Sequence, residues 1–271
     1  MRYESAACVP PSGNQLYVTG VGENRNETWK WEPAGSVWTR CADMIQGRYR
    51  YCAIFANSMS MYVLGGLVDK LHDEEWTTTI LDSVEKYDLE SNEWTIVGQL
   101  MRPTCYAACA VYDNSIYVFG GRCHIQEKTS LNCVQVFDTV SKACTTLTQR
   151  LPRPLQMLRA VTWDDRFVVI TGKHDCVVFD LCQKTFQQRR KFAAGVNQFG
   201  LVLEDQQVFH IGGHTKVKDA DGRAYRPTTD EVKSVAVMDI INELPANWSH
   251  HATLPQPAFI HAFAVMTLPP F

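Results

Sequence analysis

Hydrophobic positions along this chain fall into short runs that recur in a fixed order. A small, apolar run is followed by a second that ends in a glycine pair. A third, apolar and aromatic, closes on an aspartate, and a fourth carries an aromatic residue. Runs of this length, bounded by Gly, Asn, Asp and Ser, read as β-strands. The segments NSMS (57–60), DNS (113–115), DDR (164–166) and EDQ (204–206) between first and second runs read as hairpin turns.

The set of four runs occurs five times. RYCAIFANSMSMYVLGG followed by SVEKYDLESNEW is the clearest copy, with Tyr62, Gly65, Gly66, Tyr87, Asp88 and Trp94. YAACAVYDNSIYVFGG and CVQVFDTVSKAC repeat it with Tyr117, Gly120, Gly121, Phe137 and Asp138. MLRAVTWDDRFVVITG and CVVFDLCQKTF depart from it, Thr171 standing for the first glycine and Phe186 for the tryptophan. QFGLVLEDQQVFHIGG restores Gly212 and Gly213 and ends in Trp248, and the earliest copy keeps Tyr17, Gly20 and Trp38. The first-glycine positions 20, 65, 120, 171 and 212 are separated by 45, 55, 51 and 41 residues. A glycine pair lets the chain leave a strand with φ > 0 and lets neighbouring backbone approach closely. The tyrosines and tryptophans supply buried area between stacked sheets, with a polar tip that finds a hydrogen bond. The first run, apolar without alternation, predicts a strand covered on both faces.

A period of about 50 residues with a Gly-Gly, Tyr and Trp signature is that of kelch repeats, and these motifs resemble the kelch family over essentially the whole chain. The resemblance implies an all-β fold: a β-propeller of four-stranded antiparallel blades. The blades fall at about 2–40, 48–96, 104–148, 156–190 and 196–250 in a single domain spanning 1–271. A lone inner strand is expected at 259–268 (within FIHAFAVMTL), so the chain reads as five blades of a truncated six-bladed propeller, with a five-bladed closure as the rival. The nearest subset is the propellers of BTB-kelch proteins, whose BTB-BACK segment precedes the propeller.

Composition narrows the partners. The 271 residues are 45% hydrophobic and 20% charged, as in an ordinary soluble globular protein. A net charge of −3 gives no electrostatic reason to expect nucleic acid or an anionic membrane, and Arg189–Arg190–Lys191 is too short to alter that. No stretch approaches a membrane span and the N-terminus has no signal-peptide core, which points to the cytoplasm, with the nucleus as an alternative. The ten cysteines include no Cys-x-x-Cys pair, and those in apolar runs, such as Cys52 and Cys109, read as core packing in a reducing compartment.

Recognition is expected on the face that carries the loops between second and third strands and the lead-ins to the first strands. Those loops are long in blade 2 (VDKLHDEEWTTTIL, with Asp73, Glu74 and Glu75 beside an exposed Trp76) and in blade 3 (RCHIQEKTSLN). Blade 5 has HTKVKDADGRAYRPTTDE, with Arg223, Tyr225 and Arg226, whereas blade 4 has only GKHD. At the rim, the aligned lead-in position holds Arg50, Tyr106, Met157 and Gln198, with Arg48, Arg102, Arg153, Asn197 and His261 near it. Family members that bind acidic motifs carry arginines at this position. Here only Arg50 matches, so the surface suits a peptide or loop anchored by apolar side chains.

No chemistry of catalysis emerges: G-x-x-x-x-G-K, H-E-x-x-H and G-x-S-x-G do not occur. His210 and His214 are four apart but lie at a strand end, where no helix brings them together over a metal. The chain is therefore expected to use no cofactor and no metal, and to catalyse nothing. The family resemblance implies a protein-binding module, the substrate-recognition domain of a BTB-kelch adaptor for a cullin-RING ubiquitin ligase. The cullin would then be reached only through an upstream BTB-BACK region. A cytoskeletal, actin-associated scaffold is the alternative.

Overall fold

Each of the five repeats forms a four-stranded antiparallel sheet. The computed structural model describes residues 5–72, 74–125, 129–172, 175–188, 199–204, 206–212, 217–218, 224–225, 234–239 and 249–253. Blade 1 comprises β1 (Ala6–Cys8), β2 (Leu16–Val21), β3 (Glu27–Glu32) and β4 (Val37–Arg40). Blade 2 begins with β5 (Cys52–Asn57) and β6 (Ser60–Leu64), sends out the hairpin β7 (Leu67–His72) and β8 (Glu75–Ile80), then closes with β9 (Ser83–Asp88) and β10 (Glu93–Gln99). Blade 3 is β11 (Ala108–Tyr112), β12 (Ser115–Phe119), β13 (Leu131–Asp138) and β14 (Cys144–Leu155). Blade 4 is β15 (Arg159–Trp163), β16 (Phe167–Thr171), β17 (Cys176–Asp180) and β18 (Thr185–Gln188). Blade 5 has β19 (Gly200–Glu204) and β20 (Gln207–Ile211), a short hairpin β21 (Val217–Lys218) and β22 (Ala224–Tyr225), then β23 (Ser234–Asp239) and β24 (Ser249–Thr253). The expected closing strand at 259–268 lies outside the described residues.

Local chemistry sets these boundaries. The aspartate that ends the third strand of blades 2, 3 and 4 is a turn-former. Asp88 Oδ1 accepts from the amides of Glu90 and Ser91 at 3.1 and 3.3 Å, and Asp138 and Asp180 repeat the pattern two and three residues on. The second strands β6, β12 and β16 are more deeply buried than the first strands β5, β11 and β15, which, predicted to be covered on both faces, are only partly buried. Each first strand is a sheet edge, hydrogen-bonded on one side only, whereas the second lies between two partners.

The chain divides into two compact units, the first running to Gln156 and the second beginning at Met157. In the first, blades 1 and 2 pack through Tyr17, Phe55, Met61, Tyr87 and Trp94, with the Tyr17 and Phe55 rings 5.4 Å apart. Blades 2 and 3 pack through Tyr62, Leu64, Val118 and Phe137, the Tyr62 and Phe137 rings 6.3 Å apart. The aromatic tips are satisfied as expected: Tyr87 donates to Asn92 Oδ1 at 2.6 Å and Trp94 Nε1 to the Ala42 carbonyl at 3.1 Å. In the second unit, Val169, Val178, Phe199, Leu201 and Val208 join blades 4 and 5. Cys8, Cys52, Cys105, Cys133 and Cys176 are buried, and burial pushes the Cys8 and Cys105 thiols up to about 12.

Arg48 requires a correction. Predicted near an accessible rim, it is 0% exposed, and its terminal guanidinium nitrogens are engaged within blade 2. It donates to the Gly65 carbonyl at 2.8 Å, to the carbonyl and hydroxyl of Ser83 at 3.1 Å, and to Glu85 in a buried ion pair. Glu85 in turn accepts from the amides of Ile45 and Gln46 at 2.8 and 3.1 Å. Blade 3 fills the same positions with neutral groups: Gln135 accepts from the Arg102 amide at 2.8 Å and donates to Thr104 Oγ1 at 2.8 Å. Removing one member of a buried ion pair strands the other charge, at a cost of about 3–5 kcal/mol. Arg48→Ala and Glu85→Ala are each expected to lose stability on that scale, and Arg48→Thr combined with Glu85→Gln, the blade-3 solution, to lose less than either. Urea denaturation of the three variants checks this.

His210 supplies a pH dependence. It is buried and stacked on Phe199 at 3.9 Å, and burial lowers its pKa from 6.5 to about 3. The folded-state value lies below the unfolded one, so this contribution is complete above pH 6.5 and is lost as pH falls toward 3. The expected loss is at most about 1.4 kcal/mol per pH unit. His210→Phe should flatten the fall in melting temperature between pH 6.5 and 4 relative to wild type, measured by thermal denaturation.

Candidate functional site

The lead-in to each first strand follows one backbone plan. Tyr49 and Cys105 form antiparallel bridges with Leu67 and Arg122, the residues just after the glycine pairs. The next residue then turns left-handed: Arg50 has φ 58°, Tyr106 φ 58° and, in the second unit, Met157 φ 57°. For a residue with a β-carbon this conformation costs on the order of 1–2 kcal/mol, yet three unrelated side chains adopt it at one aligned position. The Arg50 carbonyl accepts from the Tyr106 amide at 3.0 Å, so the turn links one blade to the next. The glycine pair makes room for the bridge. A β-carbon on Gly66 would lie 3.0 Å from the Tyr49 carbonyl oxygen, and one on Gly121 would lie 2.7 Å from that of Cys105.

Cations and aromatic rings alternate across this surface. The Arg25 guanidinium lies 4.2 Å from the centre of the Tyr49 ring, and Arg50 lies 5.5 Å from Tyr49 and 4.3 Å from Tyr106. Each such contact is worth about 0.5–1 kcal/mol where solvent reaches it, and together they hold four rim side chains in one stack. Asp69 on β7 ties the stack to the hairpin. Its carboxylate accepts from Arg25 at 2.8 Å, Tyr49 at 2.9 Å and Thr78 at 2.8 Å. Burial works against that charge, but the hydrogen bonds from Thr78, Arg25 and Tyr49 hold the Asp69 carboxyl below its ordinary value.

Between the hairpin and the turn at 23–26 lies a cleft of about 600 Å³, lined by Asn24, Arg25, Asn26, Tyr49, Asp69 and Trp76 among others. The blade-2 segment read as a loop is a regular hairpin, because Val68, Trp76, Thr77, Thr78, Thr79 and Ile80 are β-formers and Glu74 takes the left-handed turn position, φ 66°.

Of the residues predicted for recognition, the structure brings Arg50 and Tyr106 into contact, leaves Arg102 exposed, and places Trp76 on β8 at 73% exposure. Met157 is half-buried in the second unit, and Tyr225 lies in β22. Gln198, Arg223, Arg226 and His261 lie outside the described residues. Arg25, Tyr49 and Asp69 escaped sequence reading, since nothing in GENRN or VDKL marks a side chain that meets another 44 residues away. Loop lengths are uneven as expected: blades 2 and 5 carry added hairpins, whereas blade 4 turns between Gly172 and Asp175, whose amide and carbonyl bond at 2.9 Å.

Comparison with known proteins agrees with this architecture. The family model for the KLHDC2/KLHL20/DRC7 Kelch-repeats domain matches residues 5–213. Kelch-like protein 35 of Mus musculus is 26% identical over 86% of this chain and 39% of its own length. Kelch-like protein 23 of Mus musculus is 23% identical over 76% of this chain and 36% of its own. The chain thus spans less than two-fifths of the length of these relatives. A solved structure titled "Structure of YjhT" superposes with a TM-score of 0.79 over 95% of this chain and 86% of its own, at 13% identity. That likeness speaks to fold alone.

Replacing Asp69 with Ala removes three hydrogen bonds from one charged acceptor. Bonds of that kind contribute about 1.5–3 kcal/mol, so the Val68 and Lys70 amides are expected to exchange at least about tenfold faster in Asp69→Ala. Exchange within β12 should be unchanged. Hydrogen–deuterium exchange mass spectrometry checks both.

Proposed function

Because this chain belongs to the kelch-repeat family of β-propellers, we propose that it is the substrate-recognition propeller of a BTB-kelch adaptor for a cullin-RING ubiquitin ligase, working in the cytoplasm. Kelch-like relatives support the coarser statement, that it is a protein-binding propeller. The observation that carries the finer reading is the stacked rim of Arg25, Tyr49, Arg50 and Tyr106 beside a protruding hairpin. Aromatic and arginine side chains held rigid at the centre of a surface are the usual anchors of protein interfaces. The strained backbone under Arg50 and Tyr106 supports the same surface, since such conformations gather at sites of function.

The mechanism is docking. A segment of the substrate lies across the rim, its apolar side chains against Tyr49 and Tyr106. Ligase recruitment falls to an upstream BTB-BACK region, so the propeller contributes selection and no covalent step. Affinity capture from cells with the full-length gene product tests this reading, wild type against Arg50→Ala with Tyr106→Ala. The expected result is cullin in both samples and a substrate set present only with wild type. An unchanged set of captured proteins would put the binding surface elsewhere. Actin filaments in place of cullin would favour a cytoskeletal scaffold.

A further inference from the structure

The register of the blade-2 hairpin exposes a row of backbone groups. Leu67 exchanges both its backbone hydrogen bonds with Tyr49, at 2.7 and 3.0 Å, on the edge of β7 away from β8. In an antiparallel ladder the bonding direction alternates residue by residue. Val68 and Lys70 therefore bond inward to their partners Thr79 and Thr77, while the amides and carbonyls of Asp69 and Leu71 point outward along the edge that Tyr49 begins. Among the described residues no backbone group pairs with Asp69 or Leu71 on that edge. An unpaired edge of this kind is a template for another strand.

The surroundings fit such a strand. The cleft of about 600 Å³ is lined by Leu67, Val68, Asp69 and Lys70 of β7 and by the turn at 23–26. The side-chain amides of Asn24 and Asn26 border it and make no hydrogen bond among the described residues. Leu71 and Trp76 are cross-strand partners on one face of the hairpin, 58% and 73% exposed. Lys70 points to the opposite face and is exposed. Asp69 meanwhile clamps the hairpin to Arg25 and Tyr49, so the edge is already in place before anything binds. In blade 3 Arg122, which aligns with Leu67, is held in the same way between Cys105 and Ser130, so the bridge at the base of the edge is common to both blades.

We infer that the outer edge of β7 takes an extended peptide segment of a protein partner as a third strand, seated between β7 and the turn at 23–26. Main-chain bonds to Asp69 and Leu71 supply its register. An apolar or aromatic side chain rests on Leu71 and Trp76, and the adjacent residue, which faces the other way, carries a carboxylate to Lys70. The asparagine amides meet the far edge of the peptide backbone. This inference rests on the reading of the chain as a protein-binding propeller, and it adds a recognition element distinct from the Arg50–Tyr106 rim.

Leu71→Pro is the selective variant. It deletes an amide that points away from β8, so the hairpin ladder stays whole, while a third strand loses its donor and meets the pyrrolidine ring. The probes are dodecapeptides selected from a random phage-displayed library on the wild-type chain, titrated calorimetrically onto wild type, Leu71→Pro, Leu71→Ala, Trp76→Ala and Arg50→Ala with Tyr106→Ala. Circular dichroism establishes that each variant is folded. Binding is expected to weaken at least about tenfold in Leu71→Pro, clearly more than in Leu71→Ala, and severalfold in Trp76→Ala. On peptide binding, the amides of Asp69 and Leu71 should gain exchange protection while those of Val68 and Lys70 change little. Failure to enrich any peptide, or equal binding by wild type and Leu71→Pro, overturns the inference. Peptides lost only from the Arg50→Ala with Tyr106→Ala variant overturn it too, while leaving the proposed function standing.

Discussion

At Gly66 the chain turns with φ 101°, and a β-carbon there would lie 2.8 Å from Tyr51 Cβ and 3.0 Å from the Tyr49 carbonyl oxygen. That missing side chain permits the Tyr49–Leu67 bridge, and much of blade 2 follows from the bridge. It fixes the lead-in strand against the base of the hairpin, sets which β7 amides face outward, and brings the Tyr49 hydroxyl to Asp69. It also precedes the left-handed turn at Arg50, whose carbonyl reaches the Tyr106 amide of the next blade. Gly121, Cys105 and Arg122 repeat the device in blade 3. A single steric allowance, repeated, thus positions the surface on which recognition is proposed.

Behind that surface the repeats solve one polar problem by different chemistry. A third-strand side chain must satisfy the amides of the incoming connector, which would otherwise be buried without partners. Blade 2 uses the Glu85 carboxylate and then needs Arg48 to neutralise it; blade 3 uses the Gln135 amide and needs only Thr104. The ionic version stabilises no more than its desolvation cost allows. Its arginine is nonetheless unavailable for binding, which separates Arg48 from Arg50 although they stand two residues apart and look alike in sequence.

Legibility differed between scaffold and site. Strand order, the hairpin turns, the glycine pairs and the aromatic packing were readable because each depends on neighbours in sequence or on a repeated pattern. Gly65, Gly66, Gly120 and Gly121 all have positive φ, as their pairing predicts. The depth of the first strands is not legible, because an apolar run does not reveal whether its strand is an edge. The hairpin at β7 and β8 was visible as a long insertion and as an exposed Trp76. Its ladder was not, since a register depends on which backbone groups are already taken.

The sequence by itself determined the repeat, the family and the uneven loops, because turn-formers, glycine pairs and aromatic spacing act locally and recur. It also singled out the aligned position of Arg50, Tyr106 and Met157. Tertiary structure alone decided which arginines are buried, that Arg25 stacks on Tyr49, and that Asp69 locks the hairpin to the rim. Those outcomes depend on distances between residues far apart in the chain, and on the competition of several donors for one carboxylate. Neither is encoded in any single stretch of residues.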